Sequence, residues 1–258
     1  MAENLIVSLL QADLVWENKT VNLEQFDTKI ASIGGSSDLI VLPEMFTTGF
    51  SMNAREMAEP MDGPTLEHLR RWAAGSEAVV TGSFIAVEAG KYYNRLVWMR
   101  PDGTYVTYDK KHLFTYADEH LTYTAGTRKL IVEIKGWKVC PLICYDLRFP
   151  VWSRNVEDYD LLIYVANFPA RRAAAWKSLL IARAVENQAY TIGVNRVGTD
   201  GKDIYYSGDT SLVDYEGKIL YQAAHIENTF TTELSYSEQQ TFRSRFAFLN
   251  DRDSFTIE

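Results

Sequence analysis

Trp137-Lys138-Val139-Cys140-Pro141-Leu142-Ile143-Cys144-Tyr145-Asp146-Leu147-Arg148-Phe149-Pro150 is an apolar run that ends on a cysteine and passes at once into a polar turn with an arginine. Such a run reads as a buried strand, and the turn after it as the start of a helix. Cys144 is then placed where the strand surfaces, which is where a nucleophile is useful. A free cysteine is also among the most buried residue types and often packs as a small hydrophobe. The stretch alone leaves both readings open, and its surroundings have to decide between them.

Working outward, residues 130–134 form a second strand joined to 138–143 at Gly136. Beyond Pro150 the pattern predicts a helix, then a buried strand over 161–165 that ends in Ala166-Asn167-Phe168-Pro169. A long helix through Trp176, Leu179, Leu180, Arg183 and Val185 leads to a strand over 189–197, and the last strands flank the turn Tyr215-Glu216-Gly217-Lys218. On the N-terminal side, residues 5–10 are a buried strand. A helix with Leu23, Phe26, Ile30 and Ile33 on one face follows, stopped by Gly34-Gly35. Residues 38–42 are another buried strand, ending in Pro43-Glu44; 64–74 is a helix with Leu66, Leu69 and Trp72 inward and Gly75 as its cap. Strands over 78–87, 92–100 and 105–110 are separated by the hairpin signals Ala89-Gly90 and Pro101-Asp102-Gly103. Hairpins and crossovers in one chain predict an α/β protein with mixed sheets and helices packed outside them. Three buried strands end in a polar group, at Glu44, Cys144 and Asn167. Active sites of open α/β sheets lie at such carboxyl ends.

The 258 residues, 47% of them hydrophobic, can bury a large core, and residues 1–258 are expected to form a single domain. A net charge of −8 with scattered basic residues argues against nucleic acid or anionic membranes as partners and favours a small molecule. No run is long enough to span a bilayer, and Asp13, Glu17 and Asn18 interrupt any signal-peptide pattern. The two cysteines cannot bridge within one strand, so a reducing cytoplasm is the expected location. The four histidines, His68, His112, His120 and His225, show no spacing suited to zinc, and no metal is expected.

A thiol with a pKa near about 8.5 is only slightly ionised at neutral pH, so a nucleophilic Cys144 needs a base or a cation beside it. One source is a histidine, with His112, His120 and His225 available. The other is a carboxylate working with a lysine. Glu44, at a buried strand end, is a better base than a surface carboxylate would be. Reference carboxylates and thiols still differ by about four pKa units, roughly 6 kcal/mol against the transfer. Burial and a nearby ammonium would have to close that gap.

Four motifs now bear on the choice: Leu42-Pro43-Glu44-Met45-Phe46, Tyr108-Asp109-Lys110-Lys111-His112-Leu113-Phe114, Ile143-Cys144-Tyr145-Asp146-Leu147-Arg148-Phe149-Pro150, and Ala182-Arg183-Ala184-Val185-Glu186-Asn187-Gln188. In this order they resemble the nitrilase superfamily of carbon-nitrogen hydrolases, and in particular its omega-amidase-like branch. The resemblance implies a four-layer α-β-β-α sandwich with two mixed β-sheets, no cofactor, and a homodimer formed through helices behind the active-site layer. It implies Cys144 as nucleophile, Glu44 as general base and Lys110 as oxyanion stabiliser. Lys111 is then the solvated neighbour, since adjacent strand residues face opposite ways. Glu119, before Thr124-Ala125-Gly126, matches a further glutamate of the family that would hold Lys110 and relay protons. His112 reads as structural, donating to a backbone carbonyl. Ala175-Trp176 departs from the His-Trp of many relatives.

The implied reaction is hydrolysis of the terminal amide of small 2-oxo dicarboxylic acid monoamides, 2-oxoglutaramate and 2-oxosuccinamate, through a cysteine thioester. The Tyr145 N–H would help to hold the oxyanion. Arg148 would present a planar fork to a substrate carboxylate, unless it pairs with Asp146. Met45, Phe46, Phe114, Tyr145 and Phe168 are candidates for the pocket wall, and Cys140 should face the core. A nitrilase, an N-carbamoyl-amide hydrolase or a non-catalytic binding protein on the same fold are the alternatives.

Overall fold

A computed structural model describes residues 2–257. In the N-terminal half, β1 (Leu5–Gln11), β2 (Leu39–Val41) and β3 (Val79–Glu88) pair in parallel, so each connection must cross over the sheet. The crossovers are α1 (Lys19–Ile33) and the segment carrying α2 (Ala54–Met57) and α3 (Pro64–Ser76). β4 (Lys91–Met99) and β5 (Tyr105–Asp109) then extend the sheet as antiparallel hairpins, with Thr81 opposite Trp98 and Leu96 opposite Tyr108. After the short helix α4 (Glu119–Thr122), β6 (Val132–Ile134) pairs antiparallel with β7 (Trp137–Ile143). The one-turn helix α5 (Pro150–Ser153) leads to β8 (Leu161–Val165), and α6 (Ala173–Asn187) to β9 (Tyr190–Val194). β7, β8 and β9 are parallel. β10 (Val197–Thr199), β11 (Tyr205–Val213) and β12 (Ile219–Ala224) complete this second sheet, β11 pairing with β9. β13 (Asn228–Leu234) returns to the first sheet, antiparallel to β1, and α7 (Tyr236–Arg245) follows.

Period-two alternation builds the layers. On the first sheet Leu10, Ile40, Val80, Val97 and Met99 pack outward against Leu23, Phe26, Ile30, Leu66, Leu69 and Trp72 of α1 and α3. Their neighbours Leu9, Leu39, Val41, Val79, Leu96 and Trp98 face inward, onto Val139, Ile143 and Ile163 of the second sheet. Helix α6 covers the other face of the second sheet with Trp176, Leu180 and Ala184. The result is the expected α-β-β-α order of two mixed sheets between helices. Burying each large apolar side chain contributes about 1.5–3 kcal/mol. Gly193 is where α6 comes closest: a Cβ there would lie 2.6 Å from both Trp176 and Leu180. Among the described residues, no helix is long and apolar enough to cross a membrane.

Three local expectations need correction. Helix α3 runs through Gly75 to Ser76, and its left-handed cap is Glu77 at φ 52°. The strand expected over 189–197 breaks after Val194, because the Asn195 side chain takes over the hydrogen bonds there. It accepts from Phe168 N and Arg196 N and donates to Phe168 O and Gly208 O. The helix after Pro150 is a single turn, preceded by a 3-10 turn over Cys144–Arg148.

Candidate active site

The carboxyl ends of β2, β7 and β8 meet between the two sheets, and the residues there are shaped by unusual backbone. Cys144 has φ 44° and Met45, next to Glu44, has φ 43°. A non-glycine residue in this region costs about 1–3 kcal/mol, so both positions depend on the structure around them. At Cys144 the left-handed residue turns the chain from β7 into the 3-10 turn, and the residue, 8% exposed, lines the pocket. Asp146 holds the turn. Its buried carboxylate accepts from Ile143 N, the Tyr108 hydroxyl and the His112 backbone N–H, at 2.7–3.1 Å, and pairs with His112 Nδ1 at 2.8 Å. His112 therefore serves the carboxylate of Asp146 and not a backbone carbonyl, with its ring stacked on Phe149 at 3.7 Å.

Glu44, Lys110 and Glu119 form a cluster that is at most 1% exposed. Lys110 Nζ lies 2.9 Å from Glu44 Oε1 and 3.0 and 3.1 Å from the two oxygens of Glu119. Asn94, on the inward face of β4 with Leu96 and Trp98, donates from Nδ2 to both carboxylates, at 2.8 Å to Glu44 and 3.3 Å to Glu119. The other Glu44 oxygen accepts from the backbone N–H of Asn167 at 2.7 Å, which ties the first sheet to the end of β8. The Cys144 sulfur lies 4.0 Å from the Asn167 carbonyl oxygen. The loop that carries Glu119 closes through Gly126, whose N–H donates to Lys110 O at 2.9 Å. A Cβ on Gly126 would lie 2.0 Å from Asp109 O, so only glycine lets the loop return this close.

The electrostatics follow from burial. Desolvation raises the Cys144 thiol well above its ordinary value; Glu44 adds to this and Lys110 opposes it without prevailing. The resting sulfur is a thiol, so the lysine does not close the acid–base gap alone and proton loss must accompany attack. Desolvation would lower Lys110, but Glu119 and Glu44 outweigh it and hold the amine firmly charged. Glu119 is raised by burial and by Glu44, against the pull of Lys110. Cys140 is fully buried, away from the pocket, and burial pushes its thiol up as well.

Above the sulfur lies a pocket of about 290 Å³ walled by Phe50, Phe114, Tyr145, Phe168 and Tyr206. Lys110 and Asn167 are at its floor, and Arg148, Arg171 and Arg172 are in its lining. Phe46 is not part of it: its ring packs against Phe26 and Trp72 in the outer core. Met45 joins a separate buried cluster with Ile85 and Tyr123. Arg148 is exposed, with its guanidinium 5.8 Å from the Phe168 ring; Asp146 is occupied by the donors named above. Lys111 is half-buried over the Trp152 ring at 5.5 Å, and Trp176 donates from its indole N–H to Asp209 O. The Tyr145 N–H, second in the 3-10 turn, has no intrahelical acceptor and is free to donate to a ligand.

The structure thus brings Glu44, Lys110, Glu119 and Cys144 together, with Tyr145, Phe114, Phe168 and Arg148 around the opening. Asn94 and Arg172 were not singled out in the sequence, and Asp146 was weighed only as a partner for Arg148. Asn94 had a signal: period two puts it on the same face as Leu96 and Trp98, where an amide has to be satisfied. A buried acid, ammonium and thiol at one pocket floor can transfer a proton, hold an oxyanion and form a covalent acyl intermediate.

Comparison with known proteins agrees with this arrangement. Residues 6–244 match the carbon-nitrogen hydrolase family. The chain is 46% identical to omega-amidase YafV of Yersinia enterocolitica, covering 98% of both chains. It is 32% identical to the 2-oxoglutaramate amidase of Bacillus subtilis, covering 95% of this chain and 96% of that one. The crystal structure of XC1258 from Xanthomonas campestris, a CN-hydrolase superfamily protein with an arsenic adduct in its active site, superposes with a TM-score of 0.98. That protein is 43% identical, and the match covers 99% of this chain and 100% of the other.

Proposed function

This chain belongs to the carbon-nitrogen hydrolase family, and from that premise we propose that it is an omega-amidase cleaving 2-oxoglutaramate and related short monoamides of 2-oxo dicarboxylic acids. The observation that carries the reading is the buried cluster of Glu44, Lys110 and Glu119 beside Cys144, at the floor of a pocket lined by arginines. In this mechanism Glu44 takes the thiol proton as the sulfur attacks the amide carbon. The carbonyl oxygen gains negative charge and is held by the Lys110 ammonium and the Tyr145 N–H. Glu44 returns the proton to the amide nitrogen, the C–N bond breaks, and ammonia leaves a thioester on Cys144. Water then gives its proton to Glu44 and adds to the thioester; the tetrahedral intermediate collapses, the acid departs and the thiol is restored.

The sum is amide plus water to carboxylic acid plus ammonia, with the enzyme unchanged. Asn94 and Asn167 hold the Glu44 oxygens, so the carboxylate cannot rotate away between the two half-reactions. The test is ammonia release from 2-oxoglutaramate, glutamine and the neutral pentanamide at equal concentration. The expected order puts 2-oxoglutaramate first, because an α-ammonium is repelled by the pocket's arginines and a neutral chain gains nothing from them. Equal turnover of glutamine and 2-oxoglutaramate would overturn the assignment.

A further inference from the structure

We propose that Arg172 selects the acidic substrate, its guanidinium gripping the carboxylate in two parallel N–H···O bonds while the amide lies against Cys144. The proposal deepens the omega-amidase reading and rests on it. Excluding the catalytic cluster, the pocket lining holds the cations Arg148, Arg171, Arg172 and Lys202 against the acids Asp118 and Asp200. Asp200 is already committed, accepting from the Tyr206 hydroxyl at 2.9 Å and from the backbone of Lys202 and Ile204. Among the described residues, none of the three arginines has a carboxylate partner or a hydrogen-bond acceptor.

Their positions differ. Arg148 and Arg171 are exposed and can be served by water. Arg172 is half-buried, its guanidinium 4.8 Å from the Phe114 ring and 5.8 Å from the Phe168 ring, two of the walls that flank Cys144. The rings offer their faces to the cation but no acceptors to its donors. No Arg172 nitrogen is sealed from solvent, so water can serve its donors in the free enzyme; an incoming carboxylate that displaces this water forms a bidentate, charge-assisted pair with a guanidinium already held beside the rings. Burial lowers the Arg172 pKa; Arg171 and Arg148 act in the same direction, whereas the Cys144 side of the pocket favours the charge. The carboxylate of an extended five-carbon monoamide lies about 5 Å from the amide carbon, and Cys144 and Arg172 line the same pocket. The fork expected of Arg148 from its place after the nucleophile thus falls to Arg172, which reaches in between the aromatic walls while Arg148 remains at the rim.

The experiment compares kcat/KM for 2-oxoglutaramate and pentanamide in the wild type, Arg172→Gln, Arg172→Lys and Arg148→Gln. In Arg172→Gln the ratio of acid to neutral substrate is expected to fall by about 30-fold or more, mainly through KM for the acid. Arg172→Lys, which keeps the charge without the fork, should recover part of that ratio. Arg148→Gln should lower it by less than about fivefold, as befits an exposed charge. Arg172→Gln retaining the wild-type ratio, or Arg148→Gln showing the larger loss, would overturn the proposal. So would an equal loss on both substrates with slower iodoacetamide labelling of Cys144, since Arg172 would then act through the thiol. A wild type that favours pentanamide sinks the omega-amidase reading itself, and that is seen before any variant is made.

Discussion

Replacing Glu119 by glutamine tests whether the second carboxylate takes part in proton transfer or only braces the loop. Its two oxygens face donors on every side: Lys110 Nζ and Asn94 Nδ2 at one, Lys110 Nζ and Phe114 N–H at the other. Whichever way a glutamine is turned, its amide N–H₂ meets a donor, at a cost of about 1–3 kcal/mol. The Lys110–Glu119 ion pair is lost as well, but the repulsion between two buried acids is relieved and Lys110 keeps Glu44, so the net loss should not exceed about 3–5 kcal/mol. The deciding effect is on rate. Oxygens of two carboxylates that share one ammonium lie about 5 Å apart, and unit charges at that distance repel by about 3 kcal/mol at an effective dielectric of about 20. That repulsion makes the acid pair readier to take the Cys144 proton. Felt fully in the transition state it is worth about 10²-fold in rate, and felt by half about 10-fold. We therefore expect kcat for 2-oxoglutaramate and the alkylation rate of Cys144 to fall together, by about 10- to 100-fold. Because the Glu119 pKa is raised, the wild type should lose activity as falling pH protonates this acid, and that part of the acid limb should be missing from Glu119→Gln. A variant that melts like the wild type, labels at the same rate and turns over within about twofold of it would refute the proton-transfer role.

Cys144→Ala should lower ammonia release by about 10⁴-fold or more while shifting stability by no more than about 1 kcal/mol, checked by a coupled ammonia assay and urea unfolding. Retained turnover would remove the thioester from the mechanism. Alkaline stability should report the two buried thiols. The folded-state pKa values of Cys140 and Cys144 are raised, so their contribution is fully present below the ordinary thiol pKa and is lost as pH rises above it. Each thiol then accounts for about 2 kcal/mol of lost unfolding free energy between pH 8 and pH 10, and Cys140→Ala should remove one such share. Identical pH slopes for that variant and the wild type would contradict the burial of Cys140.

The parts of the site that were legible in the sequence share one property: each sits at the end of an apolar run or inside a motif in fixed order. Glu44 and Cys144 end strands, and the chain direction of a parallel sheet brings strand ends to one edge, so their meeting follows from topology. Lys110 and Glu119 were reached through the resemblance, with Gly126 as the detail that makes their contact possible. What stayed hidden depends on side chains crossing between segments remote in the chain. Asp146 was weighed only as a partner for Arg148 next door, yet its donors include Tyr108 and His112, over thirty positions upstream. Arg172 follows an arginine in a short surface turn, where two adjacent cations read as solvated; its difference from Arg171 arises only when Phe114, from the first half of the chain, closes over it. Local pattern can place a group on a strand end, but its chemistry depends on which partners reach it and how little water remains, and here the first half of the chain supplies both to the second. The same division makes the catalytic cluster and the selecting arginine separable: Lys110 and its two acids hold one another without Arg172, so a change of substrate class through Arg172 should leave the proton-transfer apparatus in place.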